Sequence, residues 1–242
     1  MKQANIEERG TFQMITTILM DLDDTILDFH AAEHGALKKA LQTIGVDPTE
    51  QILKRYSEIN LSQWKLLEQG KLTQEQVKLS RYHIFFEELG IDASPEATAK
   101  EYEKNLAFEH EMMDGAMELL QALSEKYRLY AASNGTYEVQ RQRIADSGIR
   151  PYFHDFFISK KIGFHKPDIK FFEYCFSHIP DFSIEQTVMV GDSLTSDIAG
   201  GKNAGLRTIW FQRNIADEAS EANRPDYKIR SLGELPELLK RL

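Results

Sequence analysis

Apolar residues follow two different periods along the chain. Short and nearly continuous apolar runs, bounded by polar residues, predict buried strands rather than strands with one wet face. These runs are residues 18–20, 127–132, 153–159, 187–190, 207–211 and 226–229. Apolar residues at helical spacing lie between them, at residues 116–123, 137–147, 168–178, 196–204 and 235–242. Strands that alternate with helices predict an α/β fold, with a Rossmann-like parallel sheet and right-handed crossovers.

A long helical segment interrupts this alternation after the first strand. Residues 29–112 show helical periodicity and almost no strand signal, with breaks at Gly70 and at residues 90–95. Such a segment is too long for an ordinary connection between a strand and a helix. We therefore predict an α/β core of residues 14–28 and 113–242, with an inserted all-helical cap domain of residues 29–112. Residues 1–13 are polar and charged, and we expect them to form a flexible extension.

Composition and charge exclude several classes of protein. The formal net charge of −9 argues against binding to nucleic-acid polymers or to anionic membranes, both of which favour clustered Lys and Arg. No apolar stretch is long enough to span a bilayer. Cys175 is the single cysteine, which excludes an intrachain disulfide and favours a reducing, cytoplasmic compartment. It lies within the apolar residues 171–176, where we expect a buried and inert thiol.

Three carboxylates follow the first strand directly. Asp21, Asp23 and Asp24 come where ligands bind in open α/β sheets, just beyond the carboxyl end of a strand. Acids this close together repel one another unless a cation lies among them, and Mg²⁺ prefers oxygen ligands such as carboxylates. The alternative is an acidic turn that only caps the following helix.

Polar residues also follow other predicted strands. They are Ser133, Asn134 and Gly135 after the second strand, Lys166 in the loop after the third, and Gly191, Asp192, Ser193 and Asp197 after the fourth. Because parallel strands end at one edge of a sheet, we expect these residues to converge on Asp21. The alternatives are a plain turn at residues 133–135 and a solvated loop lysine at Lys166.

In their order along the chain, these clusters resemble the sequence motifs of the haloacid dehalogenase (HAD) superfamily of aspartate-nucleophile phosphatases. The motifs are Asp21-x-Asp23-x-Thr25, Ser133, Lys166 and Gly191-Asp192-x-x-x-x-Asp197, and the resemblance covers the chain from about residue 15. It implies that Asp21 attacks phosphorus and forms an aspartyl-phosphate. It implies that Asp23 protonates the leaving alkoxide and then deprotonates the attacking water, while Lys166 bridges Asp21 and a phosphoryl oxygen. An acid at Asp23 favours phosphoryl transfer, because the dehalogenase members lack one there.

The same resemblance implies a Mg²⁺ cofactor. Its ligands would be the carboxylates of Asp21 and Asp192 and the backbone carbonyl of Asp23. Asp197 and Ser193 would lie behind these ligands, with Asp197 orienting the motif lysine or a metal-bound water. The phosphoryl group would accept hydrogen bonds from the Ser-Asn-Gly segment, that is from Ser133, Asn134 and Gly135.

The predicted cap carries a second resemblance, to bacterial pyrimidine 5′-nucleotidases. The residues that match their cap pattern are Asn60, Trp64, residues 68–70, Thr73 and Arg81. Asn60, Trp64 and Arg81 are therefore candidate substrate contacts. Trp64 could stack on a base or be a core tryptophan, and Arg81 could reach the substrate or lie on a solvated helix face. His30 and His34 could line the entrance or lie on the surface.

The preferred hypothesis is a Mg²⁺-dependent phosphatase of small phosphate monoesters, with nucleoside 5′-monophosphates as substrates. A sugar-phosphate or phosphoglycolate phosphatase is the alternative within the enzyme class. From another class, an Asp-rich strand end would also suit a phospho-acceptor signalling module, although the helical insert and residues 191–197 argue against it. The expected partner is a small phosphorylated metabolite, and the chain is expected to be a monomer or a homodimer.

Overall fold

A computed structural model describes residues 14–242, so the extension predicted for residues 1–13 lies outside the described residues. Within the described part of the chain, six strands form one parallel sheet in the order β3-β2-β1-β4-β5-β6. The strands are β1 (Thr17–Met20), β2 (Arg128–Ser133), β3 (Asp155–Ile158), β4 (Thr187–Gly191), β5 (Arg207–Phe211) and β6 (Tyr227–Ile229). The prediction of an α/β fold with a Rossmann-like parallel sheet is confirmed.

Helices surround this sheet and also form the long segment after β1. They are α1 (Phe29–Thr43), α2 (Glu50–Glu68), α3 (Gln74–Leu89), α4 (Pro95–Leu106), α5 (Ala116–Ser124), α6 (Tyr137–Asp146), α7 (Ser159–Ile162), α8 (Ile169–His178), α9 (Ala199–Asn203) and α10 (Leu235–Leu239).

Two of the predicted local elements were wrong in detail. The segment after β3 was expected to be loop, but it begins with the single turn α7, which ends at Gly163 with a φ of +88°. The helix predicted at residues 196–204 is a π-helical turn, Leu194–Ile198, followed by α9. Neither difference moves a strand.

The strands are apolar throughout because helices cover both faces of the sheet. Ile18 and Met20 pack on one face with residues of α5 and α10, whereas Leu19 points to the other face and packs with Phe171 and Phe172 of α8. Successive strand residues point to opposite faces, so a strand buried on both sides shows no polar alternation. Cys175 is buried in the α8 layer, as expected, and burial raises the pKa of its thiol.

The sheet order brings the ends of β1, β2 and β4 together. β1 lies between β2 and β4, and Met20 pairs with Ala131 on one side and Val190 on the other. The chain leaves β1 toward β2 and β3, then returns to β4 on the opposite side. Such a reversal opens a crevice at the carboxyl edge of the sheet.

Helices α1 to α4, hereafter the helical insert, form a core of their own. Its centre holds the rings of Tyr56, Tyr82, Phe85 and Tyr102, and the Tyr56 hydroxyl donates to Tyr82 Oη at 2.8 Å. The domain boundaries near residues 28 and 113 stay a prediction. No helix among residues 14–242 is both long and apolar enough to cross a membrane.

Candidate active site

A buried lysine lies at the centre of the carboxyl edge. Lys166 is only 1% exposed. Its ammonium donates to Asp21 Oδ1 and to Asp197 Oδ1, both at 2.6 Å, and to the carbonyl of Ala132. These three acceptors use all three hydrogens of the ammonium. Lys166 is therefore a buried, fully paired cation and not a solvated loop lysine.

The electrostatics of the edge are set by burial and by an excess of acid. Burial raises the pKa of Asp21, and Asp197 raises it further, while Lys166 lowers it. Burial also raises the pKa of Asp192, with Asp21 and Asp197 adding to the rise. Burial alone would lower the pKa of Lys166, but the carboxylates of Asp197 and Asp21 outweigh it and hold the lysine charged.

The donor set of this edge fits a hard divalent cation. One carboxylate oxygen each from Asp21, Asp192 and Asp197 lie within 4.8 Å of one another. If all three were ionised, they would exceed the single lysine by two negative charges. Asp197 uses both of its oxygens, one for Lys166 and one for the backbone N–H of Ser193 at 3.0 Å. The carboxylates of Asp21 and Asp192, which the resemblance gave as metal ligands, are oxygen ligands of the kind that Mg²⁺ takes.

The Asp197 carboxylate packs directly against the backbone of Gly191 at the end of β4. Asp197 lies in the π-helical turn Leu194–Ile198, whose first residues are capped by the Ser193 hydroxyl. A Cβ at Gly191 would overlap the Asp197 carboxylate. Glycine at the end of β4 therefore leaves the space in which Asp197 meets Lys166.

Asp23 is held by a helix that the motifs did not include. Arg143 Nη1 forms an ion pair with Asp23 Oδ1, and Gln140 Nε2 donates to Asp23 Oδ2 at 2.7 Å. The same amide nitrogen also lies 2.7 Å from Ser133 Oγ. Helix α6 thus fixes the orientation of two motif side chains at once.

The Ser-Asn-Gly segment is also ordered by specific contacts. The Asn134 amide exchanges two hydrogen bonds with the backbone of Lys166, at 2.8 and 2.9 Å. The backbone N–H of Gly135 donates to Ser133 Oγ at 3.0 Å, and a Cβ at Gly135 would lie 2.6 Å from Gln140 Cγ. This segment is a turn, but one that joins the loop of Lys166 to the end of β2.

A cavity of about 330 Å³ lies above the edge, between the core and the helical insert. Asp21, Asp23, Asn134, Lys166 and Asp192 line its core side, and Asn60, Trp64, Glu68 and Arg81 line the side of the insert. The volume is in the range typical of small-molecule sites.

The insert residues of the sequence prediction meet in the wall of this cavity. Trp64 is half-buried and lines the cavity, so it is not a core tryptophan. The alternative of a solvated face for Arg81 is wrong. Arg81 is 3% exposed, lies near the rings of Tyr56, Tyr82 and Tyr102, and donates to Asn60 Oδ1 at 2.7 Å.

The sequence prediction did not single out three polar residues that line the cavity: Glu33, Gln140 and Arg143. All three lie on a buried helix face among apolar residues. Glu33 lies in the buried stripe of α1, and Gln140 and Arg143 lie beside Val139 and Ile144 on α6. A polar residue inside an apolar stripe is the signal that could have found them. Glu68 hydrogen-bonds the Thr195 side chain, and burial raises its pKa.

The profile of the haloacid dehalogenase-like hydrolases matches residues 15–205 of the chain. This match covers most of the chain, including the helical insert and each polar cluster from Asp21 to Asp197. The chain therefore belongs to the haloacid dehalogenase-like hydrolase family, and it is an enzyme of the hydrolase class. The alternative of a phospho-acceptor signalling module is set aside.

Two bacterial relatives match over nearly their whole length. The chain is 39% identical over 223 residues to the HAD-hydrolase YfnB of Bacillus subtilis (strain 168), which is 92% of this chain and 94% of YfnB. It is also 39% identical over 223 residues to the pyrimidine 5′-nucleotidase PynA of Streptococcus pneumoniae, with the same coverage of 92% and 94%. A crystal structure of YfnB bound to magnesium has a TM-score of 0.90 to this structure at 38% identity, covering 94% of this chain and 99% of that one.

Proposed function

We propose that the chain is a Mg²⁺-dependent phosphatase that hydrolyses nucleoside 5′-monophosphates, pyrimidine nucleotides first among them, through an aspartyl-phosphate on Asp21. The observation that carries this proposal is the placement of Lys166 between Asp21 and Asp197 in the wall of the cavity. Membership of the hydrolase family and the similarity to PynA support it. The chain is accordingly a phosphoric monoester hydrolase.

The residues on the core side suit a two-step displacement. In the first step the Asp21 carboxylate attacks phosphorus, the bond to the alkoxide breaks, and Asp23 acts as the general acid that gives the alkoxide a proton. In the second step water attacks phosphorus, the bond to Asp21 breaks, and Asp23 takes the proton of the water. Arg143 and Gln140 hold Asp23 in one orientation.

Charge neutralisation is the other requirement, because an anion must approach an anionic phosphate. Lys166 supplies a fixed ammonium beside Asp21. Mg²⁺ on the Asp21 and Asp192 carboxylates supplies the remaining positive charge when it is bound. In this proposal, the Ser133 hydroxyl and the backbone near Asn134 would donate hydrogen bonds to the phosphoryl oxygens.

The residues on the insert side of the cavity support a substrate whose leaving group carries a nucleobase. Trp64 offers a flat ring, and stacking of a base on an aromatic ring contributes roughly 1–3 kcal/mol. Arg81 Nε and Tyr102 Oη are buried and have no hydrogen-bond partner within residues 14–242. Both residues line the cavity, and the carbonyl oxygens of a pyrimidine would satisfy such donors.

The test is a substrate panel with the untagged protein and Mg²⁺ at neutral pH. We expect faster phosphate release from dUMP and UMP than from glucose 6-phosphate or 2-phosphoglycolate. Trp64→Ala should lower kcat/KM for dUMP roughly 5- to 150-fold, the equivalent of one lost stacking contact, and should leave glycerol 3-phosphate turnover unchanged. Phe108→Ala removes an exposed ring outside the cavity and is the matched control.

Two results would contradict the proposal at different levels. Faster turnover of the sugar phosphates would show that the substrate class is wrong. No phosphate release from any substrate with Mg²⁺ would show that the phosphatase activity itself is wrong.

A further inference from the structure

A second group of side chains that could act as metal ligands lies on the first turns of α1. It consists of His30, Glu33 and His34, and one ligand atom from each lies within 4.8 Å of the others. The two histidine rings are 4.3 Å apart between centroids, because residues four apart lie on the same face of a helix. We propose that these three side chains bind a transition-metal ion of the zinc type at the wall of the cavity, and that the bound ion inhibits the enzyme.

The donor set distinguishes this site from the one at the carboxyl edge. Two imidazoles and a carboxylate suit zinc and related ions, whereas an all-carboxylate set suits Mg²⁺. Two histidines four residues apart on one helix form a recurrent zinc-binding pair. The two donor sets therefore favour different ions.

The glutamate of this site is already oriented by its neighbours. Glu33 is 3% exposed. Its Oε1 accepts from Asn60 Nδ2 at 2.6 Å, and its Oε2 accepts from the Ser57 hydroxyl. Ser57 Oγ also lies 3.4 Å from His34 Nε2, which joins the carboxylate and the imidazole through one hydroxyl. Hydrogen bonds that fix a ligand in this way raise metal affinity.

The local charge also permits a cation, although the site lies at the start of a helix. The N-terminus of α1 carries a partial positive charge that disfavours a cation. Asp28 offsets it by capping Ala31 N–H at 3.0 Å, and Asp24 Oδ1 accepts from the His30 N–H at 3.3 Å. His30 itself is exposed, so water can complete the coordination.

The position of the site explains why an ion there would inhibit. His30 and Glu33 line the same cavity as Asp21 and Trp64. An ion on these ligands, with its waters, would occupy space between the insert and the core. The ion would also bind Glu33, which accepts a hydrogen bond from Asn60, a candidate substrate contact. Binding of the ion would therefore disturb Asn60 as well.

The experiment adds Zn²⁺ to the untagged protein in excess Mg²⁺, without substrate. Calorimetry measures the heat of binding and the number of ions bound per chain. We expect one Zn²⁺ per chain in the native protein, and loss of this binding in His30→Gln/His34→Gln. Co²⁺ in place of Zn²⁺ should give visible absorption bands of a nitrogen-containing site that the double variant lacks. His83→Gln, which changes an exposed histidine of the same insert outside the cavity, is the matched control and should bind as the native protein does.

Inhibition is measured relative to the activity of each variant in Mg²⁺ alone. The Zn²⁺ concentration for half inhibition should rise about tenfold or more in the double variant, in line with the usual effect of disturbing a metal site. Equal binding and inhibition in the native protein and the double variant would overturn the proposal, because Zn²⁺ would then act at Asp21 and Asp192. If circular dichroism shows that the double variant is unfolded, His34→Gln alone provides the same test. Calorimetry needs no substrate, so the outcome is independent of the proposed phosphatase function.

Discussion

Replacement of Asp21 by Asn removes the proposed nucleophile and also one charge of a crowded acidic site. Asp21 is paired with Lys166 at 2.6 Å, and its carboxylate lies within 4.8 Å of those of Asp192 and Asp197. The substitution keeps the shape of the side chain. Its effect on stability therefore depends on which of the two electrostatic effects is larger.

The distances allow both effects to be compared. At an effective dielectric constant of about 20, an ion pair at this separation contributes about 6 kcal/mol, and each carboxylate repulsion costs about 3.5 kcal/mol. Two repulsions therefore roughly cancel the attraction, and Lys166 keeps Asp197 as a partner. What remains is the desolvation of the buried charge, which raises the pKa of Asp21. We expect Asp21→Asn to raise the free energy of unfolding of the metal-free protein by about 1 kcal/mol, or about 2–4 °C in Tm.

The assay is thermal unfolding with EDTA and with Mg²⁺, together with phosphate release. Mg²⁺ at 100 times its Kd should stabilise the native protein by about 2.7 kcal/mol and leave Asp21→Asn nearly unchanged, so that the order of stability reverses. Turnover of the variant should fall on the order of 10⁴- to 10⁶-fold. Asp47→Asn, at an exposed position, is the control and should change neither quantity.

Two results would refute this reasoning separately. A metal-free Asp21→Asn protein that melts well below the native one would show that the ion pair with Lys166 outweighs repulsion and desolvation. Substantial turnover by Asp21→Asn would show that no aspartyl-phosphate forms on this residue.

Two further predictions concern the same buried charges. Lys166→Met should lower the free energy of unfolding by about 3–5 kcal/mol, because it removes the ammonium partner of Asp21, Asp197 and the Ala132 carbonyl. Urea denaturation measures this loss, and Lys54→Met at an exposed position is the control. A loss under about 1 kcal/mol would contradict the prediction. The second prediction is a pH dependence. Burial raises the folded-state pKa of Asp21 above its ordinary value of 3.8, so the folded state keeps a proton that the unfolded state releases. The stability of the metal-free native protein relative to Asp21→Asn should therefore fall as pH rises from about 4, by at most about 1.4 kcal/mol per pH unit. A difference that does not vary with pH would contradict this.

The sequence alone predicted the sheet and the edge at which the polar clusters meet. Apolar runs such as residues 187–190 marked strands buried on both faces, and parallel strands have all their carboxyl ends on one side. The convergence of Asp21, Ser133 and Asp192 follows from these two facts. Lys166 follows a short helical turn, α7, rather than a strand end, and only the resemblance to a known family implied that it bridges Asp21 and a phosphoryl oxygen.

Only the tertiary structure decided which partner each polar side chain takes. Asp197 turns to Lys166 and Ser193, and Arg81 is buried among tyrosines of the insert although its helix allowed a solvated face. Arg143 reaches Asp23 from 120 residues away along the chain. Periodicity separates the inner face of a helix from the outer one, but it does not show whether that inner face meets a packed core or a cavity. That depends on how the insert and the core are placed against each other, which arises from contacts between residues distant in the chain.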